Sequence, residues 1–313
     1  MRKLWICLAI FFLARHARAE RVWIDTDLSI GSPIREVDDA YALVLAFHSP
    51  EIQIAGLSTI YGNASLGRTT RATLDFVQRF GAAPGLERGD VFAGAKSART
   101  LGERTSASDA LAASLRKKKL TYVALGPLTN LATFLRLHPA LADRIERVIF
   151  LGGQAPGTSL AFGPNRSFRI HDANVFKDPA AVKIVLSSKI PIALVPIEIA
   201  SRLEIDRDDL RSLKNSGAAG EYLAQRSGIW LWFWTNFVKT KGGPIFDAVA
   251  IIPVTKPELL SVKKRYARMD EAGNLIVTPR LTNATRPVRY YTSFSPETKG
   301  FVLRRLMKRR SRE

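Results

Sequence analysis

Apolar runs of strand length alternate with segments of helical spacing along most of the chain. Strands separated by helices favour a mainly parallel sheet with helices on both of its faces. We therefore predict an α/β fold, with an open, mainly parallel β-sheet flanked by helices. The predicted strands cover residues 22–24, 52–59, 121–125, 147–151 and 190–196, and the predicted helices cover residues 38–47, 70–80, 128–137 and 178–187.

Three later segments follow this alternation less closely. Residues 157–169 are rich in Gly, Pro and Ser, and we predict a loop at the functional site there. Residues 270–296 are predicted as a β-hairpin or ribbon, and residues 296–307 as a closing helix. Since no repeat, low-complexity linker or shift in composition marks a boundary, residues 20–313 are predicted to form a single domain.

The first nineteen residues have the organisation of a secretory signal peptide. Arg2 and Lys3 precede an apolar run over residues 4–14, and small residues follow at Ala17 and Ala19. A membrane span needs roughly 20 apolar residues, so we predict cleavage after residue 19 rather than a stable membrane anchor. We expect an exported protein, periplasmic or secreted.

Composition excludes several classes of protein. The chain has one cysteine, so a disulfide framework and a cysteine-ligated metal site are excluded, and 46% hydrophobic residues exclude a disordered chain. Its 47 Lys and Arg against 28 Asp and Glu give a net charge of +19, but the bases are scattered except in the tail over residues 304–312. No nucleic-acid-binding motif accompanies them. We expect a solvated basic surface and no specific nucleic-acid partner, with a basic nucleic-acid binder as the weakest alternative.

Polar residues follow the predicted strands. Ligands of open parallel sheets bind in a crevice beyond the carboxyl ends of the strands. Residues distant in sequence are therefore expected to meet in that crevice. The residues at such ends are Asp25, Asp27, Asn63, Gly126, Gly152 and Glu198.

Further carboxylates stand at predicted helix starts, at Asp38, Asp39 and Asp247. Helix capping accounts for one such residue more readily than for an adjacent pair that follows Asp25 and Asp27. Four carboxylates around one crevice would repel each other unless a cation were present. Oxygen ligands suit Ca²⁺ or Mg²⁺. The alternative is a capped helix beside a polar loop.

Six sequence blocks, in their order along the chain, resemble the inosine-uridine-preferring nucleoside hydrolase family. The resemblance covers about residues 22–252 and implies the Rossmann-like α/β core of that family. The blocks are Asp25-Thr26-Asp27, Asp38-Asp39-Ala40, Tyr61-Gly62-Asn63, Leu125-Gly126-Pro127-Leu128-Thr129-Asn130, Asp172-Ala173-Asn174 with Asp178-Pro179, and Asp247.

The resemblance implies hydrolysis of the N-glycosidic bond of a small-molecule ribonucleoside, with Ca²⁺ holding the attacking water. It assigns the metal to Asp27, Asp39, Asp247 and the main-chain carbonyl of Leu125. Asp27 would also be the general base. Family members are often dimers or tetramers, so the resemblance allows a homo-oligomer.

The resemblance also implies the residues that bind the sugar. Asp38 would bind the ribose hydroxyls, and Asn63 and Asn174 would orient the ring. Asp172 stands where the family usually has Glu, so its reach towards the ribose is shorter. Asp25 would hold the metal ligands in place without itself binding the metal.

The sequence departs from the family in three places. An insertion over residues 28–37 lengthens the loop between the first carboxylates, Phe246 replaces a His that serves as leaving-group acid, and the His- and Gly-rich loop expected within residues 94–120 is not recognisable. His171 is a candidate acid. Four aromatic residues that share a helical face could stack on the base or belong to the core, namely Trp230, Phe233, Trp234 and Phe237.

Two other functions compete with hydrolysis. A non-catalytic protein that binds a ribosyl ligand would keep the fold and the metal. A phosphatase of the haloacid-dehalogenase type would use Asp25 as a phosphorylated nucleophile, with Asp27 beside it. The block over residues 125–130 and the Asp pair argue against the phosphatase.

Overall fold

The computed structural model describes residues 19–31, 36–82, 84–154 and 160–308. Almost all of the predicted signal peptide, the centre of the insertion over residues 28–37 and the end of the basic tail lie outside the described residues. Within these four ranges, no helix combines the length and the apolar character that crossing a membrane requires.

Thirteen strands are found in the described ranges, nine of them in one central sheet. They are β1 Glu20–Thr26, β2 Ile52–Thr59, β3 Val91–Ala93, β4 Leu120–Ala124, β5 Ile145–Leu151, β6 Leu160–Phe162, β7 Phe168–Ile170, β8 Ile192–Val195, β9 Glu204–Ile205, β10 Gly243–Pro244, β11 Leu260–Met269, β12 Leu275–Thr278 and β13 Arg286–Phe294.

The central sheet has the order β12-β11-β13-β8-β5-β4-β1-β2-β3. From β13 to β3 every neighbouring pair is parallel, and β11 pairs antiparallel with both β12 and β13. The central strands β4 and β5 are apolar along most of their length, as expected for parallel strands covered on both faces. This confirms the prediction of an open, mainly parallel α/β sheet.

Helices cover this sheet. They are α1 Asp38–Phe47, α2 Leu66–Phe80, α3 Ser106–Lys117, α4 Thr129–Leu137, α5 Ala173–Lys177, α6 Pro179–Ser187, α7 Ile197–Ala200, α8 Arg207–Lys214, α9 Ala218–Trp232, α10 Phe246–Thr255 and α11 Glu297–Leu306.

The strand order reverses at β1, which lies between β2 on one side and β4 on the other. Ligands of doubly wound sheets bind in the crevice at such a reversal. Helices α1 and α10 pack against each other, and both are buried at every residue. The first turn of α1 contains Asp38 and Asp39, and the first turn of α10 contains Asp247. The fold therefore brings the starts of these two helices close to the end of β1.

Two sequence predictions need correction. Residues 160–170 are not a plain loop, because β6 and β7 pair antiparallel with Phe162 opposite Phe168. Both rings contact Trp234 edge-on, and this contact supplies the apolar packing that a short hairpin needs. The rest of the predicted loop, residues 157–159, lies outside the described residues. The predicted ribbon does contain β12 and β13, but its first strand begins earlier, at Leu260.

Candidate active site

Asp25 lies near the carboxyl end of β1 and is fully buried. Its Oδ1 accepts hydrogen bonds from the hydroxyl of Ser58 at 2.6 Å and from Nδ2 of Asn130 at 2.8 Å. Burial raises the pKa of Asp25 to about 7, and the two donors oppose that rise. Asp25 therefore connects β1 with β2 and α4, a position that suits the supporting role predicted for it.

Asp27 follows β1 directly and is almost fully buried. The backbone N–H of Asn63 donates to its Oδ2 at 2.6 Å. Gly62 permits this approach, because a Cβ at that position would lie 1.8 Å from the same oxygen. Burial, and then the charge of Asp39, raise the pKa of Asp27 to about 8. A cation would have to offset these effects for Asp27 to act as a carboxylate base near neutral pH.

Asp38 and Asp39 form the first turn of α1, and both are buried. The hydroxyl of Thr26 donates to Oδ1 of Asp39, and Nδ2 of Asn63 donates to its Oδ2 at 3.3 Å. Oδ1 of Asp38 is buried and has no hydrogen-bond partner among the described residues. A buried carboxylate oxygen without a partner indicates a place for a ligand.

Asp247, in the first turn of α10, completes the cluster. Asp38, Asp39 and Asp247 each offer an oxygen, and these oxygens lie within 4.8 Å of one another. Burial raises the pKa of Asp247 well above its usual range, and the charges of Asp38, Asp39 and Asp27 raise it further. The starts of α1 and α10 favour negative charge, but not several carboxylates at once. A set of buried carboxylate oxygens fits a hard divalent cation.

The ends of β4 and β5 are joined by Asn174. Its Nδ2 donates to the carbonyl of Leu125 at 2.7 Å and to the carbonyl of Leu151 at 3.1 Å. The predicted ligand Leu125 and the predicted sugar-binding Asn174 are therefore in direct contact. Their assignments to the metal and to the ribose stay predictions.

Asp172 organises the loop before α5. Its Oδ2 accepts from the backbone of Gly153 at 2.6 Å, and its Oδ1 accepts from the backbone of Val175 at 3.1 Å. Burial raises the pKa of Asp172 to about 6, while these donors oppose the rise. Oδ1 of Asp172 thus caps α5, and its Oδ2 holds the loop after β5. The predicted contact of Asp172 with ribose stays a prediction.

The sequence did not predict Lys177 as a member of the site. Its Nζ lies 3.8 Å from Oδ2 of Asp27, and its side chain is 23% exposed. Its spacing could have indicated this, because Lys177 follows Asn174 by three residues and residues three apart share a helix face.

Glu36 was placed in the insertion but given no role from the sequence. Its Oε2 accepts a hydrogen bond from Nε1 of Trp230 at 2.9 Å. Burial, and then the charge of Glu36, raise the pKa of Asp38 well above its usual range. The insertion therefore adds a further acid to the surroundings of the cluster.

The aromatic residues before the Asp247 loop divide into two groups. Trp230 and Trp234 are buried, so the core interpretation holds for them. Phe237 is 65% exposed and stacks on Phe233 with ring centroids 5.2 Å apart. Stacking of a base stays the alternative interpretation for Phe233 and Phe237.

His171 was named as a candidate proton donor for the leaving base, since Phe246 cannot supply a proton. Phe246 is buried at the start of α10. His171 is exposed and helps to line a cavity of about 350 Å³ between α5 and the turn after β11. The role of His171 stays a prediction.

Asn130 links the carboxyl ends of β1 and β2 to the segment after β3. Besides Asp25, its Nδ2 reaches the carbonyl of Thr59 at 3.2 Å, and its Oδ1 accepts from the backbone of Ala95 at 2.7 Å. Asn130→Leu leaves the buried backbone N–H of Ala95 without its acceptor and removes one donor each from Asp25 and from the carbonyl of Thr59. We therefore expect the free energy of unfolding to drop by about 3 kcal/mol. Urea unfolding measures this drop. The exposed control Asn215→Leu should change it by less than about 0.5 kcal/mol, and an equal effect in both variants would refute the prediction.

The metal-free protein should lose stability as the pH rises from about 5 to about 8. The unfolded chain ionises its aspartates near 3.8, whereas folded Asp25 and Asp27 hold protons up to about 7 and 8. In this window the folded state binds more protons, so raising the pH favours unfolding, by at most about 1.4 kcal/mol per pH unit and group. Urea unfolding in EDTA at several pH values measures the slope. Stability that increases over this window would contradict the account.

Comparisons with known proteins agree with this geometry. A family model described as inosine-uridine preferring nucleoside hydrolase matches residues 22–298. Uridine nucleosidase 1 of Arabidopsis thaliana is 29% identical over 283 residues, which cover 81% of this chain and 79% of that protein. A pyrimidine-specific ribonucleoside hydrolase of Escherichia coli is 27% identical over 282 residues, 81% of this chain and 86% of that protein.

Solved structures share the fold. A plant nucleoside hydrolase matches with a TM-score of 0.77 and 24% identity, over 92% of this chain and 99% of that chain. A purine-preferring ribonucleoside hydrolase from Gardnerella vaginalis matches with a TM-score of 0.75 and 19% identity, over 92% of this chain and 98% of that chain.

Proposed function

The chain belongs to the inosine-uridine preferring nucleoside hydrolase family, and we propose that it cleaves the N-glycosidic bond of ribonucleosides to give free base and ribose. One observation carries the proposal, namely the meeting of the buried Asp38, Asp39 and Asp247 beside Asp27 at the reversal of strand order. N-glycosidic cleavage passes through an oxocarbenium-like state, which nearby anions stabilise.

We propose Ca²⁺ as the cation of this site, held by Asp27, Asp39, Asp247 and the carbonyl of Leu125. The buried carboxylate cluster and the purely oxygen-based donor set support a hard cation, and Ca²⁺ accepts more protein oxygens than Mg²⁺. When bound, the ion supplies positive charge that holds ribose hydroxyls and lowers the pKa of a water molecule.

Asp27 takes the proton of the attacking water in this proposal. The backbone of Asn63 holds its Oδ2 in place, and general-base catalysis of this kind contributes roughly 10²–10⁴-fold to a rate. Asp38, with its free Oδ1, binds the ribose hydroxyls, and the amides of Asn63 and Asn174 orient the ring. Holding sugar and water together converts an encounter into a positioned attack.

A pyrimidine nucleoside is the substrate we propose first. The Arabidopsis relative is named for uridine, and the bacterial relative for pyrimidine ribonucleosides. Phe246 makes the start of α10 apolar, so departure of the base cannot depend on a proton from that position.

The test is release of reducing sugar from a panel of pyrimidine and purine ribonucleosides, with the thermal shift caused by free ribose measured alongside. We expect stoichiometric release of ribose and base, fastest with uridine. Stabilisation by ribose without any release would instead support the non-catalytic ribosyl-binding protein, which the apolar residue at position 246 favours.

A further inference from the structure

Lys177 ends α5 and extends its ammonium group to the edge of the acidic cluster. Its Nζ is 3.8 Å from Oδ2 of Asp27, whose side chain is only 2% exposed. Burial raises the pKa of both Asp27 and Glu36, and the positive charge of Lys177 opposes that rise in each. Lys177 therefore acts on one carboxylate that follows β1 and on one in the insertion. An ion pair with one almost fully buried partner is screened less than a pair on the surface.

A hydrogen-bond network fixes the backbone that carries this lysine. The carbonyl of Lys177 accepts from the hydroxyl of Tyr61 at 3.2 Å, and that hydroxyl also lies 3.2 Å from Oγ1 of Thr129. Oγ1 of Thr129 in turn donates to Oδ2 of Asp178 at 2.6 Å. One turn earlier, Asn174 bonds the carbonyls at the ends of β4 and β5. The fold therefore fixes the main chain from which the Lys177 side chain reaches Asp27.

We propose that Lys177 is a resident countercharge of the metal site, which stabilises the carboxylate cluster in the metal-free protein and competes with the divalent cation for Asp27. The inference rests on the metal site of the proposed function. Two cations beside one carboxylate repel each other, so the ammonium weakens binding of the metal. In the metal-free protein the same charge offsets part of the repulsion among the acids.

The test compares neutral and charged replacements of Lys177 in the full chain. Lys177→Met and Lys177→Gln remove the charge, Lys177→Arg keeps it, and Lys183→Met removes an exposed lysine of α6 as a matched control. Two measurements are needed, the melting temperature in EDTA and the Kd for Ca²⁺ by titration calorimetry. Using two neutral variants keeps the test decisive if one of them fails to fold.

We expect the neutral variants to melt at a lower temperature in EDTA and to bind Ca²⁺ about tenfold more tightly or better, the order expected for removing one adjacent unit charge. Lys177→Arg and Lys183→Met should match the unmodified protein. Ca²⁺ affinity that is unchanged or weaker in the neutral variants would overturn the proposal.

The proposed function and this inference fail in different ways. If the unmodified protein binds no Ca²⁺, the calcium assignment is wrong, and the melting temperatures in EDTA still decide whether Lys177 stabilises the acids. If the protein binds Ca²⁺ and both neutral variants melt and bind as it does, the countercharge is refuted while the calcium site stands.

Discussion

Asp27→Asn is expected to lower kcat for ribose release by about 10²–10⁴-fold, because it removes the carboxylate that accepts the proton of the attacking water. The substitution also removes one negative charge from the proposed metal site. The fold should survive, because the amide oxygen of Asn can still accept the hydrogen bond that Asn63 donates to Asp27. Steady-state release of ribose at saturating Ca²⁺ measures the effect.

The control for this prediction is Asp109→Asn. Asp109 lies in the first turn of α3 and pairs with Arg104 on the surface, so its loss should leave kcat unchanged. Circular dichroism and thermal melting establish that both variants are folded. A folded Asp27→Asn variant with near-normal kcat would show that Asp27 is not the base.

Asp247→Asn is expected to weaken Ca²⁺ binding by about a hundredfold or more, since it removes a full negative charge from the place where Asp38, Asp39 and Asp247 meet. Burial, and then the charges of Asp38, Asp39 and Asp27, raise the pKa of Asp247, so a neutral amide at this position should also relieve that repulsion. The metal-free variant is therefore expected to be at least as stable as the unmodified protein, while its stabilisation by Ca²⁺ is lost.

Calorimetric titration with Ca²⁺ and melting in EDTA separate these two effects. Asp109→Asn again serves as the control, because it too removes a carboxylate from the first turn of a helix. An Asp247→Asn variant that binds Ca²⁺ with unchanged affinity would remove Asp247 from the metal site and would leave the cluster as an electrostatic feature only.

The positions of the site carboxylates could be predicted from the sequence because they lie at the ends of strands and at the starts of helices. Asp25 and Asp27 come at the end of an apolar run, and Asp38 and Asp39 open the helical pattern that follows. In a parallel sheet both places lie at the carboxyl ends of the strands, where ligands bind. Asp247 was predicted on the same basis, and α10 does begin beside it.

The contacts between separate loops could not be predicted in this way. The distance from Lys177 to Asp27 depends on where α5 lies relative to the end of β1, which no local pattern specifies. The bond between Glu36 and Trp230 likewise joins an insertion to a distant helix. The start of α2 was placed at residue 70 instead of Leu66, because Gly67 concealed the helical pattern.

The most direct test of metal-assisted hydrolysis is release of ribose from uridine by protein that has been dialysed against EDTA and then reconstituted with Ca²⁺. We predict that chelation abolishes release, that Ca²⁺ restores it, and that restored activity saturates at one ion per chain. Full activity of the chelated, metal-free protein would contradict the account. So would the absence of release by folded, Ca²⁺-loaded protein from uridine and from every other nucleoside of the panel.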